Sequence, residues 1–213
     1  MLLSGYDLSE LSTCTRCPRL VGHLRQVAEQ YPGYHAAPVG SWGDRKARAL
    51  LVGLAPGLHG AARTGKAFVG DASGDFLFRS LHRSGFASAA DPYAARLFDM
   101  QITNVVKCLP PGNAPTSIEL NLCMGFLRQE LTGLLPASPR KPRVLIALGG
   151  VAHRAVSRAL GLRGVSFAHG AEHAVSDHLT LVSSFHPSRL NVNTGRITEP
   201  MLDEIFQRVR KLL

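Results

Sequence analysis

The strongest constraint on how this chain of 213 residues folds is a set of short apolar runs that break straight into glycine or proline. Ala49 to Leu54 (ALLVGL) leads into Pro56-Gly57, and Arg143 to Leu148 (RVLIAL) leads into Gly149-Gly150. Runs of this length without polar alternation are the mark of strands buried on both faces, as in a parallel sheet covered by helices. They are also far short of the roughly 20 residues that a membrane helix needs. Met100 to Val106 (MQITNVV) and Leu179 to Phe185 (LTLVSSF) fit the same sheet. Helical spacing lies between them at Phe76 to Ser84, Ile118 to Leu135 and Val151 to Leu160, and an amphipathic helix runs from about Pro200 to Leu213. Thr116-Ser117-Ile118-Glu119 has the spacing of a capping box, which predicts a helix start there. The expected fold class is α/β, with a central, mostly parallel sheet flanked by helices. Pro136 to Pro142 (PASPRKP) reads as a loop rather than a linker, so one domain is expected over 1–213.

Such a layout already predicts where function sits, because ligands of open α/β sheets bind outside the carboxyl ends of the strands. Three loops should converge there: Gly53-Leu54-Ala55-Pro56-Gly57, Asn104 to Asn113, and His186-Pro187-Ser188. Charge narrows the ligand. Lys plus Arg number 24 against 15 for Asp plus Glu, and a net charge of +9 attracts a polyanion, most commonly nucleic acid. A membrane surface is not expected, since no segment joins a long apolar face to a cluster of cations. The opening residues MLLSGYDLSELSTC have no basic stretch followed by an apolar one, so a cytoplasmic, nucleoid-associated location is expected.

In a reducing compartment the four cysteines read as metal ligands or core residues rather than disulfides. Cys14 and Cys17 form a CxxC ahead of Pro18, Cys108 follows a strand and Cys123 lies within a helix. A zinc ribbon usually has two CxxC knuckles, whereas four thiolates from separated segments suit an iron–sulfur cubane at least as well. By spacing alone, zinc, iron–sulfur and unliganded cysteines all stay open.

Two further constellations carry chemistry. In Gly53 to Asp75 (GLAPGLHGAARTGKAFVGDASGD), repeated glycines allow close backbone approach to a ligand, with Arg63, Lys66, Phe68, Asp71 and Asp75 crowded between them. It is not a phosphate-binding loop of the GxxxxGK[ST] kind, because Ala67 follows Lys66. By itself Phe68 reads as a core residue. The segment from His186 to Arg196 (HPSRLNVNTGR) places a histidine at a strand end before a polar, basic loop. Such a histidine can bind an anionic leaving group while Ser188, Arg189, Asn191 and Arg196 meet phosphates.

GLAPG…RTGKAFVGDASGD together with HPSRLNVNTGRIT resembles the two signature motifs of type-5 uracil-DNA glycosylases, the iron–sulfur branch of the uracil-DNA glycosylase superfamily. The resemblance runs from Cys14 to the terminal helix. It implies a three-layer α/β sandwich and a [4Fe–4S] cluster on Cys14, Cys17, Cys108 and Cys123, away from the chemistry. Phe68 matches the aromatic on which the flipped base stacks, overruling the core reading. Asp71 matches the carboxylate proposed to take over catalysis, and Leu54 stands where other branches carry a polar catalytic side chain. His186 matches the histidine beside the base's carbonyl oxygen, and Asn113 a polar residue lining the pocket. Two positions depart from the pattern. Asn104, in ITNVVKC, looks more like the sister type-4 branch, where this residue reads the uracil edge, and Ala62 replaces the asparagine usual before Arg63.

The resemblance implies a monomer that flips uracil, hypoxanthine and other damaged bases out of double-stranded DNA and hydrolyses the N-glycosidic bond. Backbone N–H groups of the Gly53, Leu54, Ala55 and Gly57 loop, with His186, would stabilise the departing base. Lys66 and the arginines would hold the DNA backbone. Two other readings remain: a strict uracil enzyme of type-4 character, favoured by Asn104, and a catalytically weak iron–sulfur DNA-binding module, kept open by Leu54.

Overall fold

The computed structural model describes residues 7–134 and 141–213. The expected loop from Pro136 to Pro142 therefore lies mostly outside the described residues, as does Leu135 at the end of an expected helix. Six strands form one sheet: β1 (Trp42–Gly43), β2 (Ala49–Gly53), β3 (Met100–Asn104), β4 (Arg143–Leu148), β5 (Glu172–Ser176) and β6 (Leu179–Ser184). Their order is β1-β3-β2-β4-β6-β5. The four inner strands are parallel, and the short outer strands β1 and β5 pair antiparallel at the two edges. The sheet and its covering helices are the α/β architecture expected from the apolar runs.

Side-chain alternation divides the core in two. Leu50 and Val52 of β2, with Leu145 and Ala147 of β4, face one layer with α1 (Pro18–Gln30), α4 (Ser117–Leu134) and α5 (Gly150–Ala159). Ala49 and Leu51, with Val144 and Ile146, face the other, with α3 (Ala72–Arg83) and α7 (Glu199–Leu212). Every residue of β2 is buried, which is why its sequence shows no polar alternation. Each large side chain so buried contributes about 1.5–3 kcal/mol. On α7, Leu202, Ile205, Phe206 and Val209 make the apolar stripe, and the Thr198 hydroxyl caps the start by accepting from the Met201 N–H.

Local signals explain most element ends. The capping box is real: Glu119 N–H donates to Thr116 Oγ1 (3.2 Å) while Thr116 N–H donates to Glu119 Oε2 (2.7 Å). Helix α3 starts at Ala72, four residues before the expected Phe76, because Asp71 accepts the Gly74 N–H at its N-terminus. Strand β3 ends at Asn104, and the expected Val105 and Val106 are buried in the following loop instead. Beyond β2 the chain turns towards β3, and beyond β4 it turns the other way towards β6. A crevice opens at the carboxyl ends between these two directions. Among the described residues no helix is long and apolar enough to cross a membrane.

Candidate active site

A cavity of about 330 Å³ occupies this crevice. The loop after β2 supplies Leu54, Ala55 and Gly57, the glycine-rich connection supplies Phe68 and Asp71, and the end of β3 supplies Asn104. Asn113, His186 and Ser188 complete the wall from the other two converging loops, with Ala61 and Ser73 beside them. Gly53 alone of the expected base-binding residues is set behind the wall. A Cβ there would stand 2.4 Å from Asn104 Oδ1 and 2.7 Å from Phe68 Cε2, so glycine is what lets these two side chains close over the strand.

Phe68 is a core residue that also reaches the cavity. It is buried in the core layer of α3 and α7 and also forms part of the cavity wall, its ring 5.8 Å from that of His186. Its backbone sits at φ +59°, a conformation costly to a non-glycine residue and typical of ligand clamps. Gly74 accommodates it, since a Cβ at 74 would meet the Phe68 carbonyl oxygen at 2.2 Å. Asp71 holds the Gly74 N–H through Oδ1 at 2.9 Å and turns Oδ2 towards the loop glycines. At Gly60 a Cβ would be 2.1 Å from Oδ2, so this glycine makes room for the carboxylate. Asp75 is exposed in the first turn of α3 and takes no part in the cavity.

Two nitrogen-bearing side chains of residues that are not exposed face the cavity without hydrogen-bond partners among the described residues. The Asn104 amide is one, on a residue only 3% exposed. The His186 ring is the other. Burial pushes its pKa below the ordinary value of 6.5, with the Asp71 carboxylate pulling weakly back, so near pH 7 it is a neutral imidazole with one N–H to donate. Its loop is braced from behind, as Asn191 Nδ2 donates to the His186 carbonyl (2.8 Å) and Ser188 Oγ accepts the Asn191 N–H (3.3 Å) in capping α6 (Arg189–Asn193).

The expected DNA contacts separate into two groups. Lys66, Arg189 and Arg196 are exposed, Lys66 lying over Trp42 and Arg196 over Phe185. Arg63 is engaged inside the fold, donating from Nη2 to the Gly70 carbonyl (2.8 Å) and to the Tyr93 hydroxyl (2.7 Å). Asn191 likewise serves the His186 loop. Leu190 was not among the sequence candidates, yet it stands 72% exposed two residues after Ser188 of the cavity wall. The signal for it was an apolar side chain in an otherwise polar loop.

The four cysteines meet away from this cavity. Cys14 follows a short 3-10 helix (Leu8–Thr13), Cys17 immediately precedes α1, Cys108 follows β3 and Cys123 lies on α4, and all four line one apolar space. Burial first, then the neighbouring cysteines, pushes the Cys108 thiol up to about 12; burial pushes that of Cys123 up to about 11. Among the described residues no group of three or more His, Cys, Asp or Glu side chains is placed to hold a metal ion.

Comparison with known proteins agrees in one direction. Residues 41–210 match the family model of the uracil DNA glycosylase superfamily. A type-5 uracil-DNA glycosylase of Pyrobaculum aerophilum is 41% identical over 95% of this chain and 91% of its own length. One of Thermus thermophilus is 41% identical over 95% of this chain and 94% of its own. A type-4 uracil-DNA glycosylase of Pyrobaculum aerophilum is 37% identical, but over 61% of this chain and 58% of its own length.

Proposed function

Since the chain belongs to the uracil-DNA glycosylase superfamily, and within it to the type-5 glycosylases, we propose that it is a monofunctional DNA-repair glycosylase that excises uracil, hypoxanthine and other deaminated bases from duplex DNA. The observation that carries this reading is the Asn104 amide, on a buried residue, without a protein hydrogen bond and open to the same cavity as Phe68, Asp71 and His186. When a base displaces water from the cavity, an amide left unpaired there costs free energy, so its donor and acceptor select the base edge.

The amide also accounts for the substrate class. Deamination replaces an exocyclic amine beside a ring nitrogen acceptor by a carbonyl beside a ring N–H. Uracil and hypoxanthine share that N–H and carbonyl edge. One orientation of Asn104, accepting from the N–H and donating to the carbonyl, fits both and mismatches cytosine and adenine. The reaction then runs as follows. The nucleotide leaves the stack, its base lies against Phe68, and exposed Leu190 enters the gap as an apolar wedge. The C1′–N bond breaks with its electron pair going to the base. His186 and the backbone N–H groups of the loop after β2 stabilise that anion, Asp71 faces the positive sugar, and water adds at C1′, its released proton neutralising the base anion, to leave an abasic site. Leu54 in the cavity wall has no group to activate water, which leaves the carboxylate role to Asp71.

The cysteine site is read as the seat of a [4Fe–4S] cluster. Four thiols around one apolar space, two of them buried and hard to ionise, are a donor set that becomes thiolate only when metal charge is present. Such a cluster would cross-link α1, α4 and the loop after β3 through Cys17, Cys123 and Cys108. The protein acts as a monomer on the nucleoid.

The test is abasic-site formation on matched duplexes containing uracil, hypoxanthine or cytosine. Cleavage of the first two and not the third is expected. Uracil alone would mark a strict enzyme of type-4 character, and no cleavage with retained duplex binding would mark a DNA-binding module.

A further inference from the structure

Lys107 is fully buried, and so is the carboxylate it meets: side-chain exposures of Lys107 and Glu130 are 0% and 1%. All three ammonium protons are used, on Glu130 Oε2 (2.6 Å), Thr103 Oγ1 (2.7 Å) and the Asn104 carbonyl (2.7 Å). Glu130 is equally occupied, accepting from Thr103 Oγ1 (3.0 Å) and from the Ser41 N–H (3.1 Å). The backbone N–H of Lys107 donates to Cys123 Sγ at 3.3 Å. Glu130 and Cys123 both lie on α4, about two turns apart, so one helix holds the carboxylate and a thiol against the same lysine.

Burying two charges rarely adds stability over a well-packed apolar pair, because the lost hydration offsets the attraction. Stability alone therefore does not explain the pair. Its placement does. The lysine grips the carbonyl of Asn104 at the residue where the chain leaves β3, while the Asn104 amide has no protein partner to orient it. With no hydrogen bond to hold it, that amide is aimed by its backbone and by packing over Gly53, and a misplacement of about 1 Å at a reacting base can cost about a hundredfold in rate.

We propose that Lys107 and Glu130 are a positioning pair, tying the backbone of Asn104 to helix α4 so that its amide meets the flipped base in one fixed pose. The inference rests on the reading of Asn104 as the base-contacting residue. Neither charged side chain touches the base.

Removing one partner strands a buried charge and endangers folding, so the informative variant removes both charges and keeps the volumes: Lys107→Met with Glu130→Gln, in which the carboxamide oxygen still accepts from Ser41 and Thr103. Single-turnover excision and duplex affinity are measured on the wild type, this double variant, Asn104→Ala and the triple variant. The double variant should melt within about 5 °C of wild type, bind the uracil duplex with unchanged affinity and excise uracil at least about tenfold more slowly. Adding Asn104→Ala should then cost less than about twofold more, because the pair acts through Asn104. A double variant that excises at the wild-type rate, that fails to fold, or whose loss multiplies fully with that of Asn104→Ala overturns the proposal and leaves the reading of Asn104 standing. Wild-type excision by Asn104→Ala itself overturns that reading, and the pair's role with it.

Discussion

At position 71 one carboxylate does two jobs with two oxygens: Oδ1 caps α3, and Oδ2 lies over the loop glycines at the cavity. Asparagine is among the best caps, so Asp71→Asn removes the charge and keeps the helix start. The variant is expected to retain its melting temperature within about 2 °C and its duplex affinity, while single-turnover excision of uracil falls at least about tenfold, roughly 1.4 kcal/mol of transition-state stabilisation. Unchanged excision would leave catalysis to His186 and the loop backbone. Asp71, His186 and Phe68 were legible in the sequence because they sit in contiguous motifs. The bonds of Arg63 to Gly70 and Tyr93 were not legible, because Tyr93 lies in a distant loop with no periodic signal. Lys107 and Glu130 escaped notice for a similar reason. A lysine inside NVVKCL is an anomaly in an apolar run, but only the fold shows that a carboxylate on α4 answers it.

Elements were legible in proportion to how much of their burial is local. The inner strands announce themselves as unbroken apolar runs because both faces are covered. The edge strands do not: β1 is two residues long, and β5 alternates half-buried and exposed positions. Helix α1 was missed although Leu20, Leu24 and Val27 have helical spacing; Gly22 interrupts the pattern, and packing against α4 and the sheet compensates. This helix matters to the cysteine site, since Cys17 immediately precedes it and Arg19 pairs with Glu119 of the α4 capping box at 2.7 Å. The two helices thus meet around the thiols before any metal is considered. Purified protein should therefore be brown, with broad visible absorption. Cys108→Ser, which replaces a buried ligand, should lose the colour and much of the soluble yield. Colourless protein with stoichiometric zinc would assign the site to a single ion instead.

Across the whole molecule the excess of positive charge is unevenly available. The formal net charge is +9, yet some of the arginines are paired with carboxylates of the same chain: Arg19 with Glu119, Arg48 with Asp99, Arg79 and Arg83 with Glu199, Arg83 also with Asp203, and Arg208 with Glu172. In the chain segments that supply the cavity wall the exposed cations are Lys66, Arg189 and Arg196, while Arg63 braces the Gly70 carbonyl next to Asp71. Salt dependence distinguishes these roles. Each phosphate neutralised contributes about 0.9 to the slope of log affinity against log salt. Arg189→Ala should thus weaken duplex binding at low salt and flatten that slope by about one. Arg63→Ala should leave the slope unchanged and instead slow excision, because what it loses is the hold on the peptide that carries Asp71. Fluorescence anisotropy titrations across roughly 50 to 200 mM salt, run beside single-turnover excision, measure both quantities. A flattened slope for Arg63→Ala would return that side chain to the DNA track, and an unchanged slope for Arg189→Ala would place the phosphates on another face of the molecule.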